Sequence, residues 1–293
     1  MAYQTDKLRK LAALVEQHTA QEGVSYTGIE SLGTFKAAST RMRMPDYYEP
    51  AIVMVAQGKK RCYIGNKAYE YGAGDYLILF LPMSLDVEIV NASPDHPFLA
   101  AGVRIDLGRL ADVLLRIERV EGGVTKPVST DPSGIFSASL SDNLLDPTIR
   151  LLESLANPRD AAILGDLIVD EIYYRILCDE RGGDLRTFLQ QRGQIQRVAK
   201  AVQYIHQNLK EPVSVEKLAD MVHMSRTSFY ENFKEVMHVS PLQYAKSVKL
   251  VKAQTLIKEG KNASEAGYLV GYNSPAQFSR EYKRHFGFVP SAT

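Results

Sequence analysis

Two serines, Ser225 and Ser274, open segments that share one internal spacing. Aromatic residues follow each serine by four and eight positions: Phe229 and Phe233 in the first copy, Phe278 and Tyr282 in the second. A proline closes each segment sixteen positions after its serine, at Pro241 and Pro290. A serine ahead of a helical pattern is an N-cap, accepting a backbone N–H that the first turn leaves unpaired. Pro275 stands at the favoured first helical position of the second copy. Aromatics four apart share a helix face and bury it, which leaves the opposite face free to enter a groove. The N-terminus of such a helix also favours phosphate. Recognition of a polyanion is the chemistry these residues suit.

The repeat extends upstream of the serines. Residues 218–241 read LADMVHMSRTSFYENFKEVMHVSP and residues 266–290 read AGYLVGYNSPAQFSREYKRHFGFVP. A small residue opens the preceding helix in each copy, Ala219 and Gly267, as two steeply crossing helices require. The turn between them needs positive φ, supplied by Gly271 in the second copy and by His223 in the first. Asn273 makes the second turn one residue longer. Two copies with matched spacing follow the docking logic of the helix-turn-helix.

Groups suited to catalysis are sparse. A metal-dependent β-barrel enzyme needs several histidines and a carboxylate converging on one ion. The strand-rich region has only His96; His18, His206, His223, His238 and His285 are scattered, with no His-x-His pair. There is no phosphate-cradling glycine loop and no Gly-x-Ser-x-Gly elbow. Cys62 and Cys178 form neither a metal-ligand spacing nor a disulfide framework and read as reduced thiols in or near the core, with a redox switch as the alternative. No catalytic residue, metal or cofactor is expected.

The 293 residues suffice for about two domains. A net charge of +1 conceals an asymmetry: residues 196–293 carry about +6 and the remainder about −5. A basic C-terminal unit on an acidic partner suits a chain in which one domain meets nucleic acid. No run of 18 apolar residues suggests a membrane span, and residues 1–10 are polar and basic with no apolar stretch behind them like that of a secretory signal, so a cytoplasmic protein is expected.

The elements that position these residues follow from periodicity. Residues 33–105 read as short strands with regular turns, including a hairpin about Gly65-Asn66, as in a small antiparallel barrel or sandwich. From Leu107 the period becomes helical. A polar, Gly- and Pro-containing stretch, residues 121–134, interrupts it, and helices follow over residues 144–155 and 161–178. The second of these has Ile163, Leu167, Asp170, Tyr174 and Leu177 along one stripe, either a dimer face or a face packed inside one protomer. Six helices are expected beyond it: residues 195–209, 215–222, 226–237, 241–259, 264–270 and 275–286. The fold class is α+β, with a β domain and appended helices at residues 1–180, a linker at 181–195 and an all-α unit at 196–293.

Residues 271–287, GYNSPAQFSREYKRHFG, resemble the second helix-turn-helix signature of the AraC/XylS family of bacterial regulators. The first copy resembles that family's first motif, with SPLQY (residues 240–244) opening the joining helix. Three features depart from the family pattern: His223 replaces the usual turn glycine, Gly267 replaces the usual alanine, and the sequence ends at Thr293 soon after the motif. Residues 48–78 resemble the AraC-type N-terminal domain. The resemblance implies a cupin-like barrel that senses a small molecule, a homodimer formed through helices, and a regulator, commonly an activator, acting on promoter DNA and RNA polymerase.

Carried over by position, the base-reading residues are Arg226, Thr227, Tyr230 and Glu231 in the first motif. In the second they are Ala276, Gln277, Ser279 and Arg280. Arg280 suits a bidentate contact to guanine and Gln277 one to adenine. Glu231 suits cytosine or is simply a solvated carboxylate. Lys234, Lys283 and Arg284 suit phosphate contacts, which position without specifying. For the effector, Met54, Tyr63, Tyr69, Tyr71 and Tyr76 are candidates, each with a plain core role as the alternative.

Overall fold

The computed structural model describes residues 2–64, 67–121, 135–179, 182–183, 185–186, 192–237 and 239–293. The Gly65-Asn66 turn, nearly all of the polar stretch after Glu121, His238 and most of the expected linker lie outside the described residues.

Helix α1 (Ala2–Gln17) precedes nine strands: β1 (Gly23–Tyr26), β2 (Leu32–Ala37), β3 (Arg41–Tyr48), β4 (Ala51–Gln57), β5 (Lys59–Ile64), β6 (Lys67–Gly72), β7 (Asp75–Leu79), β8 (Met83–Val90) and β9 (Phe98–Arg104). Strand β10 (Ile135–Ser139) follows helix α2 (Leu107–Glu121). The strands form where side chains alternate between faces. In β8, Met83, Leu85, Val87 and Ile89 are buried and the residues between them are not. In β5 the inward set is Lys60, Cys62 and Ile64.

The strands make two antiparallel sheets, ordered β1-β2-β9-β4-β7-β10 and β3-β8-β5-β6. Both contribute to one hydrophobic core. Among the described residues no ladder joins them, so the strands form two packed sheets, the sandwich form of the expectation, without closure into a ring. Gly58 makes the turn from β4 into β5, at φ +84°; a Cβ there would lie 2.9 Å from the Phe98 backbone.

Helices α3 (Asp142–Glu153) and α4 (Pro158–Leu177) complete this unit. The Tyr173 hydroxyl ties α4 to the end of β9, donating to the Arg104 carbonyl at 2.8 Å and accepting from the Asp106 N–H at 3.0 Å. From the expected linker, Leu185 and Arg186 are buried against this unit; Arg186 donates to the Leu177 carbonyl and pairs with Glu121. Cys62 is buried as expected, but Cys178 is exposed, because it caps α4 where the chain leaves the core.

Six helices form the C-terminal unit: α5 (Arg192–Gln207), α6 (Val215–Met221), α7 (Arg226–Met237), α8 (Pro241–Lys258), α9 (Ala263–Leu269) and α10 (Pro275–Phe286). Their bounds follow the helical periods in the sequence closely. The first begins at Arg192, inside the expected linker. Helix α8 starts with a capping box, Ser240 with Gln243, and Pro241 in its first turn. Its first half packs with the main core and its second half with a separate cluster of Leu250, Ala253, Phe278, Tyr282 and Phe286. The second motif therefore has its own core.

The two units touch through an aromatic cluster. His206 Nε2 of α5 lies 2.7 Å from the Tyr244 hydroxyl of α8 and 3.2 Å from the Tyr47 hydroxyl of β3. Tyr244 donates its proton to the Pro82 carbonyl at 2.9 Å, so His206 Nε2 serves as the donor to Tyr244.

Candidate nucleic-acid interface and ligand cavity

Both helix pairs form by the local rules written in the repeat. His223 has φ 55° and Gly271 φ 88°, the positive values each turn requires. Ser225 Oγ accepts the Ser228 N–H at 3.2 Å, and Ser274 Oγ accepts the Gln277 N–H at 3.3 Å. Phe229, Phe233, Phe278 and Tyr282 are fully buried. Gly267 is needed where α9 crosses α10, since a Cβ there would meet the Phe278 ring at 2.9 Å.

Burial of those aromatic stripes turns the opposite faces outward. Arg226, Thr227, Tyr230, Glu231 and Lys234 are all exposed on α7. Ala276, Gln277, Arg280, Lys283 and Arg284 are exposed on α10, with Ser279 half-buried. The structure thus groups the sequence-derived positions on two outward helix faces. Neither helix has an acid in its first turn, and α10 ends on Lys283, Arg284 and His285. Arg226 is not idle: it pairs with Glu216 of α6 at 2.7 Å. Glu281 does not face the groove side freely either. It accepts from the Tyr272 hydroxyl at 2.8 Å and pairs with Lys246, which holds α10 against α8.

A cavity of about 400 Å³ lies in the N-terminal unit. Its walls come from β2, β4 and β9 on one side and the end of β3 on the other, with Phe35, Val53, Phe98 and Ala100 as apolar lining. Tyr47, Tyr48 and Lys60 are among its polar lining, with Thr34 and, exposed to solvent, Glu30, Asp46, Glu49 and Arg104. None of the five residues expected at an effector site lines it. Met54 and Tyr76 are paired partners on neighbouring strands and point to the opposite face, where Thr148 of α3 donates to the Met54 sulfur and Tyr76 donates to Asp179. Tyr71 is buried against Cys62, with its hydroxyl 3.2 Å from the sulfur. Tyr63 lies on the outer face, donating to Glu88 beneath the Arg43 guanidinium, and Tyr69 is half-buried on β6. Alternation has a period of two, so a one-residue error in which face is inward exchanges the two sets.

Lys60 is the residue that sequence reasoning missed. It is 4 % exposed, its ammonium donates to the Tyr48 hydroxyl, and it lies 4.8 Å from the Phe35 ring centre and 5.8 Å from that of Phe98. Burial lowers its pKa from the ordinary lysine value. The signal for it was its register with Cys62 and Ile64. Among the described residues, no three His, Cys, Asp or Glu side chains come together as around a metal ion.

Paired helix-turn-helix motifs on a double-sheet domain define a DNA-binding transcriptional regulator. The AraC-type transcriptional regulator N-terminus family matches residues 28–184, more than half of the chain, and a helix-turn-helix domain family matches residues 218–293. The chain belongs to the AraC/XylS family of transcriptional regulators. It is 23% identical to the lactose operon transcription activator of Staphylococcus xylosus over 242 residues, 82% of this chain and 81% of that protein. It is 34% identical to the probable transcriptional regulator LumQ of Photobacterium leiognathi over 89 residues, 30% of this chain; the match spans only 36% of LumQ. In fold it is similar to an apo variant of ToxT from Vibrio cholerae, with a TM-score of 0.61 at 10% identity, covering 93% of this chain and 98% of that one.

Proposed function

We propose that this regulator reads promoter DNA through α7 and α10, and that a small molecule in the N-terminal cavity controls how those helices are presented. One observation carries the DNA reading: the base-reading positions of both motifs are exposed on helices whose opposite faces are fully buried. Arg226, Thr227, Tyr230 and Glu231 face one segment of major groove, and Ala276, Gln277, Ser279 and Arg280 face the next. Helix α8, about 27 Å long at 1.5 Å per residue, sets the distance between them. Lys234, Lys283 and Arg284 hold phosphates. The working division is residues 1–180 for sensing and dimerisation, 181–195 for linkage and 196–293 for DNA.

The control reading rests on adjacency. Tyr47 lines the cavity and also contacts His206 of the DNA-binding unit. A ligand that shifts the end of β3 biases how the two units dock, a population shift between arrangements. ToxT, which shares the fold, has been solved with an unsaturated fatty acid bound, which supports a small-molecule effector here. Dimerisation through α4 is supported by Ile163, Leu164, Leu167 and Tyr174, all exposed on its surface. Activation through RNA polymerase is the output we favour, as the relative from S. xylosus is named an activator. The cytoplasm, where its DNA lies, is the expected compartment; among the described residues no helix is long and apolar enough to cross a membrane.

The test is a footprint of the purified protein on the DNA upstream of its own gene, with Arg280→Ala alongside. Protection of two adjacent major-groove segments is expected, with the mutant losing about 1–3 kcal/mol of discrimination at one base pair. Weak binding that ignores both sequence and the mutation, repeated on DNA chosen from random sequences, would overturn the reading.

A further inference from the structure

We infer that the cavity beside Lys60 binds an apolar molecule bearing a carboxylate, which Lys60 recognises. The inference rests on the effector reading and names the class of effector.

Lys60 occupies a position that the pattern of β5 reserves for a core side chain, alongside Cys62 and Ile64. Burying an ammonium costs far more than burying a methylene unless the charge is met. Here it is met only in part. Tyr48 accepts one of its three protons, and the rings of Phe35, Tyr48 and Phe98 present their electron-rich faces. Among the described residues no carboxylate lies within ion-pairing distance of Lys60. Asp46, Glu30 and Glu49 also line the cavity, but all three are exposed at its mouth. Glu30 is paired with Arg104, and Asp46, which accepts the Tyr47 N–H and hydrogen-bonds with the Tyr48 side chain, favours the ammonium only from beyond ion-pairing distance. Lys60 is therefore the one buried charge that lines the cavity, beside the apolar Phe35, Val53, Phe98 and Ala100. An anion with an apolar body answers both features: its carboxylate takes the remaining ammonium protons, and its body fills a volume of about 400 Å³, within the range of small-molecule sites. A cationic ligand meets repulsion there, and a neutral one leaves the ammonium as it stands.

The full chain is titrated by calorimetry with octanoate and octan-1-ol, and with 3-phenylpropanoate and 3-phenylpropan-1-ol, at fixed pH and salt. In each pair the carboxylate should bind at least about tenfold more tightly, the gain typical of a charge-assisted contact. Lys60→Met should abolish that preference while the alcohols bind as before or more tightly, and Lys60→Arg should retain part of it. Thermal unfolding checks that the variants fold; if Lys60→Met does not, the wild-type pairs and Lys60→Arg decide. Equal affinities within each pair, a preference that survives Lys60→Met, or no binding by any of the four probes would overturn the inference. DNA affinity measured on the same samples separates the two readings. A carboxylate preference with unchanged DNA affinity upholds the anion site and sinks control by effector.

Discussion

In the free protein the Arg226 guanidinium is held by Glu216 across the first motif, both side chains well exposed. On the proposed reading, DNA competes with Glu216 for that arginine. Glu216→Gln should therefore raise DNA affinity several-fold at low salt and steepen the salt dependence, because one more cation is free to displace counterions. Filter binding across a salt series reads this; an unchanged slope would show that Arg226 stays off the DNA. The same series assigns Lys234, Lys283 and Arg284, each of which should flatten the slope by about one when replaced by alanine, with little change in sequence preference. These residues were legible in the sequence because exposure on a helix follows from the spacing of its buried aromatics. Lys60 was legible only as an inward position, from its register with Cys62 and Ile64; that a cavity lies beside it depends on strands far apart in sequence.

At the scale of elements, the second motif rests on its own small core and on one turn. Gly271 has φ +88°, and a Cβ there would press on the backbone carbonyls of Lys210 and Leu209. Gly271→Ala should cost at least about 2 kcal/mol, from left-handed strain plus the clash. Hydrogen exchange should localise the loss to α9 and α10, leaving the protection of the sheets intact. The first motif tolerates His223 at the equivalent turn, exposed and at φ 55°. Helix α4 offers the other test. Ile163, Leu167 and Tyr174 are spaced as one stripe and are exposed, whereas Asp170, between them, pairs with Arg109 of the same chain. Leu167→Glu should turn a dimer into a monomer in sedimentation at micromolar concentration, and wild-type protein that is itself monomeric there would remove the dimer proposal. In the sequence this stripe was ambiguous between a core face and an interface. Packing left Ile163, Leu167 and Tyr174 at the surface but buried Leu177, because α4 turns Val169, Ile172, Tyr173 and Ile176 inward and its last turn enters the core.

At the scale of the molecule, two half-buried histidines lie where the two units meet. Burial lowers the pKa of His206 from its ordinary value of 6.5, with Tyr47 and Tyr244 facing it; burial likewise lowers His285, an effect that Asp86 partly opposes. A depressed folded-state pKa means the unfolded or undocked form binds protons first. The stability from neutral His206 is thus complete above about 6.5 and is lost as pH falls through the lower folded value. Tyr47 and Tyr244 stay neutral throughout, both raised chiefly by burial. Acidification from pH 8 to 5.5 should lower the thermal midpoint more in wild type than in His206→Gln. Identical pH profiles would place the acid sensitivity elsewhere.

The sequence by itself determined the paired motifs, the six helices that hold them, the strand-rich first half and the two outward helix faces proposed to meet DNA. Each of these is local: a cap, a turn residue and a helical or twofold period settle it within a dozen residues. Tertiary structure decided what depends on which surfaces meet. Between the barrel and the sandwich it chose two packed sheets, added β10 beside β7, and placed the cavity on the side of β4 opposite Met54. It also brought Tyr47 to His206, 159 positions apart. No periodicity reports a contact over that separation, since it is fixed only when two independently folded surfaces bury one another.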